Sequence, residues 1–101
     1  MGERYKVYVV PSAWKESKQL PGFVRQRVKK AIEALAENPQ PPKSRELSQS
    51  HVKREVRRLR IENWRIVYAV DVEGKTIDVV AVRKRPPYNY DDLADLIAEF
   101  L

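Results

Sequence analysis

The sequence contains no cysteine and a single histidine, His51. The lack of thiols excludes disulfides, thiolate nucleophiles and cysteine-based zinc sites, and one histidine excludes a multi-histidine metal centre. Three glycines are too scattered for a phosphate-cradling glycine-rich loop. No apolar run approaches the ~18 residues of a membrane helix, and the N-terminal segment lacks the apolar stretch of a signal peptide. We therefore expect a cytoplasmic protein that needs no metal and no other cofactor.

Positive charge is the main compositional feature. The 101 residues include 20 Lys and Arg against 14 Asp and Glu, a formal net charge of +6. Charged residues make up 34% of the chain, above the ~25% that is typical of globular proteins. The length predicts one domain spanning residues 1–101, and the charge predicts an anionic partner.

Hydrophobic periodicity predicts a small α+β fold. Ser12 is the expected N-cap of the first helix, and the second helix should end near Asn38, where a proline-rich segment follows. The expected segments are a strand over 4–10, helices over 13–20 and 23–38, a loop over 39–52, strands over 54–61, 64–72 and 76–83, and a helix over 91–101. This β-α-α-β-β-β-α order predicts a small antiparallel sheet backed by the two N-terminal helices.

Turn length fixes which residues of the predicted hairpin share a face. A two-residue turn at positions 62–63 places Arg60 opposite Arg65 and leaves Arg58 on the same face. A second two-residue turn at positions 73–74 places Arg65 opposite Val82. Because like charges across a strand pair destabilise it, the crowded arginines indicate a bound anion. The alternative is that they only solvate the open face of the sheet.

Further basic and aromatic residues are expected beside these arginines. Guanidinium forks bind phosphate, and tyrosine rings stack on unpaired bases, so the pattern favours an unpaired nucleic-acid strand. The predicted nucleic-acid contacts, besides the three arginines, are Lys53, Arg57, Arg83, Lys84, Arg85, Tyr88 and Tyr90.

The sheet face that is predicted to carry the arginines is also apolar at its centre, where Val67, Val80 and Val82 are expected. Either the closing helix covers these valines or another polypeptide does. Contiguous exposed apolar surface commonly marks a protein-binding site. We therefore expect another protein to bind there.

Four segments resemble toxins of the RelE/ParE superfamily from toxin–antitoxin modules. They are VYVVPSAWKES, PGFVRQRVKKAIEALAENPQPP, VRRLRIENWRIVYAVD and VVAVRKRPPY, which together cover nearly the whole chain. The arginine-rich hairpin, with its aromatic residue, arginine, two aliphatic residues and tyrosine after the turn, is the most specific of them. The resemblance implies the RelE fold and a cognate antitoxin as partner.

For the RelE branch, the resemblance implies metal-independent cleavage of messenger RNA on the ribosome, by attack of a 2′-hydroxyl on the adjacent phosphate. The implied catalytic residues are Arg58, Arg60, Arg65, Arg85 and either Tyr88 or Tyr90. Arg58 stands where active members often carry a lysine, and an arginine is a poor general base.

Two alternatives remain open at the level of sequence. A member of the ParE branch keeps the fold but inhibits DNA gyrase and needs no RNA-cleaving residues. A non-catalytic member only binds an antitoxin-like partner. The in-register arginines favour the nuclease, whereas the missing strand lysine favours the alternatives.

Overall fold

The computed structural model describes residues 4–47 and 54–84. Its elements are β1 (Lys6–Val9), α1 (Pro11–Lys18), α2 (Gly22–Ala34), β2 (Ser44–Leu47), β3 (Glu55–Ile61), β4 (Trp64–Asp71) and β5 (Thr76–Lys84). The predicted helix over 91–101 lies outside the described residues. Neither helix of the described part is long and apolar enough to cross a membrane.

The five strands form one mixed sheet in the order β1-β5-β4-β3-β2. Strands β3, β4 and β5 are the predicted antiparallel meander. Strand β2 extends it antiparallel to β3, and β1 extends it parallel to β5. The α+β architecture is therefore confirmed, with a larger sheet than the sequence analysis expected.

The first helix begins earlier than predicted. Pro11 is its first residue and Val10 its N-cap, so the prediction of Ser12 as the cap is wrong. Proline suits this position because its fixed φ is already helical and it has no N–H to leave unpaired. At the far end of α2 the regular helix stops at Ala34, and a turn in which Asn38 N–H donates to the Ala34 carbonyl completes it.

The segment predicted as a loop over 39–52 contains β2. Residues Ser44–Leu47 pair with β3, with Ser44 opposite Leu59 and Leu47 opposite Val56. A four-residue strand among prolines and serines has little intrinsic strand signal, and it exists because β3 offers it an edge to pair with.

The core lies between the helices and one face of the sheet, which we call the helix side. Ala31 and Ala34 of α2 line a groove together with Leu59 and Ile61 of β3, which places α2 on that side. The larger buried residues there include Val28, Leu35, Leu59, Ile66, Tyr68, Ile77 and Val79. Burying a side chain of this kind contributes roughly 1.5–3 kcal/mol.

Tyr68 links the sheet to the segment after α2. Its side chain is buried, and its hydroxyl donates a 2.7 Å hydrogen bond to the Pro39 carbonyl. Burial raises the pKa of this phenol above its ordinary value, because the charged form would be desolvated. This contact holds the start of the 39–43 segment against the core.

The connection between β4 and β5 is longer than predicted. Asp71 pairs with Thr76, so the turn has four residues, and Asp71 Oδ1 accepts a 3.0 Å hydrogen bond from Gly74 N–H. A Cβ at Gly74 would lie 2.6 Å from Asp71 Oδ2, which explains the glycine. The pairing next to the turn is nonetheless the one that a two-residue turn at positions 73–74 predicts.

Candidate functional site

The β3–β4 hairpin has the predicted register. Arg60 lies directly opposite Arg65, and Arg58 lies opposite Val67. Because side chains alternate along a strand, these three arginines leave the same face of the sheet, opposite the helix side. Directly opposed residues of an antiparallel pair have Cα atoms about 4.5–5.5 Å apart. The prediction that these three arginines share one face of the sheet is therefore confirmed.

A β-bulge changes the pairing of β4 with β5. The register shifts between Val67 and Tyr68, so that Val80 is an extra residue on β5. Beyond the bulge Arg65 faces Arg83, and the prediction that it faces Val82 is wrong. Arg60, Arg65 and Arg83 thus form one row across three strands, which we call the arginine row.

Strand β2 adds an arginine that the sequence analysis missed. Arg45 lies opposite Arg58, in the row next to the arginine row. We call these two residues together with the arginine row the arginine face. Its two rows contain otherwise only Val67 and Ala81 among the described residues. The sequence could have placed Arg45 on this face only if residues 44–47 had first been identified as a strand.

Arg65 is buried, although it lies on the face opposite the helix side. Its exposed fraction is 6%, and Nη1 donates to the carbonyls of Glu62 at 2.9 Å and Trp64 at 3.0 Å. Glu62 has a left-handed φ of 54° at this turn. Arg65 therefore braces the hairpin turn as well as placing a positive charge at the centre of the arginine row.

Arg83 is held by an acidic side chain of α1. Its Nε donates to Glu16 Oε2 at 3.2 Å, and the second oxygen of the same carboxylate accepts the backbone N–H of Val82 at 3.0 Å. Strand β1 ends at Val9, opposite Val79, and no other strand of the 4–47 and 54–84 segments pairs with this part of the β5 edge. Glu16 satisfies that edge and offsets part of the repulsion within the row.

The remaining arginines of the face are more accessible. Arg60 is exposed and Arg58 half-buried, and neither forms an ion pair with another residue of the 4–47 and 54–84 segments. Like charges placed directly across strands destabilise a sheet, by up to about 1 kcal/mol per pair. The arginine face thus retains positive charge that an anionic ligand would neutralise.

Two other predicted contacts lie away from this face. Arg57 is opposite Tyr68, on the helix side, where it pairs with Glu55 Oε2 at 2.7 Å and donates to Ser44. Lys84 is exposed but lies opposite Trp64, so it leaves the opposite face from Arg83. The positions predicted at Lys53, Arg85, Tyr88 and Tyr90 lie outside the described residues.

The three valines predicted to bind a partner do not form one surface. Val82 lies opposite Ile66 and faces the helix side, because the bulge reverses the expected orientation. The exposed fractions of Val67, Val80 and Val82 are 0%, 0% and 2%. None of them offers contact area at the surface.

An accessible groove lies instead between α1 and α2. It has a volume of about 390 Å³, with Val9, Val28 and Ile32 among its apolar lining residues. Trp14, which is 53% exposed, and Lys18 also line it, with the Lys18 ammonium 5.3 Å from the centre of the indole ring. Arg25 and Lys29 are two further cations of the lining and Glu33 is its one carboxylate, so the groove combines apolar residues with a net positive charge.

No group of three or more His, Asp or Glu side chains suited to a metal ion occurs within the described ranges 4–47 and 54–84. The charged groups that the described fold brings together on the arginine face are cations, which suit an anion.

The fold is similar to that of solved RelE toxins. RelE of the archaeal RelE–RelB complex from Pyrococcus horikoshii is 20% identical over 84% of this chain and 99% of its own, with a TM-score of 0.74. A chain of a toxin–antitoxin complex from Mycobacterium tuberculosis is 20% identical over 81% and 99%, with a TM-score of 0.69. A mutant Escherichia coli RelE in the free state is 22% identical over 95% and 96%, with a TM-score of 0.65.

The sequence comparisons add the family. No curated protein matches the sequence. A family model does: the one described as the ParE toxin of the type II toxin–antitoxin system parDE matches residues 7–86. This match covers most of the chain, which also has the RelE fold and the arginine face. The chain therefore belongs to the ParE toxin family, within the RelE/ParE superfamily of type II toxin–antitoxin systems.

Proposed function

We propose that this toxin cleaves ribosome-bound messenger RNA and uses the arginine face to hold the phosphate backbone. The observation that supports this most directly is the arginine row, in which Arg60, Arg65 and Arg83 lie side by side across three strands. Such a row carries a repulsive cost that a bound phosphate would convert into attraction. Guanidinium groups also suit the planar, bidentate recognition of phosphate oxygens.

The proposed reaction is attack of an RNA 2′-hydroxyl on its neighbouring phosphate. The nucleophile loses its proton, the phosphorus becomes five-coordinate, and the 5′-oxygen of the next nucleotide leaves with a proton. Charge on the phosphoryl oxygens rises in the transition state, and fixed cations aimed at it supply the largest part of the stabilisation. We assign this role to Arg58, Arg60 and Arg65, joined by Arg85 as the sequence analysis predicts.

Proton transfer needs other groups. Arginine stays protonated at any physiological pH and is a poor general base. The rows of the arginine face contain otherwise only Val67 and Ala81 among the described residues. We therefore propose Lys53 and Tyr88 or Tyr90, from the sequence, or groups of the ribosome for this step. Slow cleavage of free RNA follows.

The second proposed partner is an antitoxin. Several of the solved neighbours are RelE–RelB complexes. The α1–α2 groove suits an amphipathic helix with acidic residues, because apolar residues line it together with Lys18, Arg25 and Lys29. We propose this groove as the antitoxin surface in place of the three valines.

A second candidate function is inhibition of DNA gyrase. The match to the ParE toxin model favours it, as does the lack of a lysine in the β3 position where active nucleases often carry one. In that case the arginine face would contact an acidic protein surface or DNA rather than message.

One experiment separates the two candidates. Purified protein is added to translating ribosomes and the 5′ ends of the message are mapped, while gyrase supercoiling is measured in parallel. Cuts within the message that disappear in Arg60→Ala support the nuclease. Blocked supercoiling with intact message supports the gyrase inhibitor and refutes the proposal.

A further inference from the structure

The Glu16 carboxylate forms contacts that neither helix formation nor packing of the core requires. Glu16 lies on α1, yet its carboxylate leaves the helix and binds two donors on β5. Oε1 accepts Val82 N–H at 3.0 Å, and Oε2 accepts Arg83 Nε at 3.2 Å. One side chain therefore fixes both the backbone and the guanidinium at the end of this strand.

The position of this contact along β5 matters. Strand β1 pairs with β5 only as far as Val79, and the bulge at Val80 follows directly. Beyond it no strand of the described residues pairs with the outer edge of β5, and a bulge increases local twist. The hydrogen bond from Val82 N–H to Glu16 Oε1 replaces, at this position, the bond that a neighbouring strand would supply.

The contact with Nε constrains the plane of the Arg83 guanidinium. Because a guanidinium is planar, a carboxylate on Nε orients the remaining N–H groups with it. Arg83 and Glu16 side chains are 17% and 32% exposed, so the pair is largely shielded from water and is screened less than a surface ion pair. The pair fixes the orientation of the last arginine of the row.

We infer that Glu16 is a positioning residue, which orients Arg83 for contact with the phosphates of a single-stranded nucleic acid. This inference rests on the proposed function, since it assigns the arginine face to a nucleic acid. Glu16 itself is not placed in contact with the substrate. The Glu16 carboxylate lowers the net positive charge of the arginine face. We nevertheless expect it to strengthen binding of the nucleic acid, because the orientation of Arg83 contributes more than the lost charge removes.

The test compares two variants with the same change in charge. Glu16→Gln removes the ion pair, and one of its two acceptor sites becomes a donor that repels Val82 N–H or Arg83 Nε. Glu37→Gln is the control, because Glu37 is exposed near the end of α2 and forms no ion pair in the described part of the chain. The probe is a short 2′-deoxy oligonucleotide, which binds without being cleaved.

Opposite signs are expected for the two variants. Glu37→Gln gains net positive charge and binds the oligonucleotide as well as or better than the original protein. Glu16→Gln gains the same charge but binds about tenfold more weakly, the loss expected for one charge-assisted hydrogen bond. In the ¹⁵N–¹H spectrum the Arg83 Nε–Hε signal, assigned by its loss in Arg83→Lys, shifts and exchanges faster with water in Glu16→Gln.

Three results overturn the inference: equal oligonucleotide affinity in the two variants, an unchanged Arg83 signal in Glu16→Gln, or weaker binding that follows only a lower folded fraction measured by circular dichroism. The proposed function fails separately, when the original protein leaves ribosome-bound message intact. In that case the oligonucleotide and spectral measurements still decide whether Glu16 orients Arg83.

Discussion

Arg65 and Arg83 face each other across β4 and β5 only because Val80 is an extra residue on β5. Without the bulge, Arg65 would face Val82, and Arg83 would point to the helix side. The bulge thus adds Arg83 to the row that already contains Arg60 and Arg65. This relationship links an irregularity of the backbone to the electrostatics of the candidate site.

Arg60 and Arg65 are expected to differ in what their removal does. Arg60 is exposed, so Arg60→Ala should abolish growth arrest while changing the free energy of unfolding by less than about 0.5 kcal/mol. Arg65 is 6% exposed and donates to two carbonyls, so Arg65→Ala should abolish growth arrest and also lower the free energy of unfolding by about 2–3 kcal/mol. Urea unfolding and growth curves measure both. Equal stability losses in the two variants would contradict the bracing role of Arg65.

The salt dependence of RNA binding should report the number of phosphates that the arginine face contacts. For single strands, log Kobs falls with log salt by about 0.7 per neutralised phosphate. Arg60→Ala should therefore reduce the slope by about 0.7, since it removes one phosphate contact. Lys30→Ala, which removes the same charge from an exposed position of α2, is the control and should leave the slope unchanged. Equal slopes in the two variants would argue against the face as the binding site.

Tyr68→Phe tests the link between the sheet and the 39–43 segment. Loss of the hydroxyl leaves the Pro39 carbonyl without its 2.7 Å partner, so the free energy of unfolding should fall by about 1–2 kcal/mol. RNA binding should be retained, because Tyr68 lies on the helix side. Urea titrations at pH 7 measure the difference.

The same variant gives a test of pH dependence. Burial raises the pKa of Tyr68 in the folded protein above its ordinary value of 10.0, so the unfolded chain loses this proton at a lower pH than the folded chain does. The stabilisation from Tyr68 is therefore complete below the unfolded-state pKa near 10 and is lost as the pH rises through the higher folded-state pKa. The stability difference between the original protein and Tyr68→Phe should narrow above pH 10. A constant difference would show that the phenol is not shielded.

Trp14 tests the proposed antitoxin groove. Its 53% exposed ring should make Trp14→Ala nearly neutral for stability, yet weaken binding of the cognate antitoxin at least about tenfold, as expected for a central aromatic contact. Val72→Ala is the matched control, because Val72 is also 53% exposed but lies on the β4–β5 turn. Calorimetric titration with the antitoxin measures both. Equal affinities for the two variants would place the antitoxin elsewhere.

The sequence predicted the parts of the fold in which local signals agree. In the β3–β4 hairpin, a two-residue turn and the alternation of Arg58, Leu59 and Arg60 specify the same register. Strand β5 carries no such alternation, because residues 79–82 are all apolar and are buried on both faces. A register shift there leaves the hydrophobic pattern unchanged, and only tertiary packing specifies the bulge.

Arg45 and Glu16 could not be predicted for a related reason. Each depends on a contact between segments distant in sequence: Arg45 on the pairing of β2 with β3, and Glu16 on the place where β1 ends beside β5. Single-sequence patterns describe what a segment prefers by itself. They do not describe which edge is left open for it.

The bulge has a consequence for how the lengths of related toxins are allowed to vary. An insertion into the 72–75 turn lengthens a surface connection and leaves the orientation of Arg83 unaltered. Gain or loss of one residue between Val80 and Arg83 moves the side chains that follow to the other face of the sheet. The Arg83 guanidinium would then point toward the core, where no anion has access. Natural insertions and deletions should therefore accumulate in the turn and be rare in those few positions, a constraint on length that acts independently of which residues occupy them.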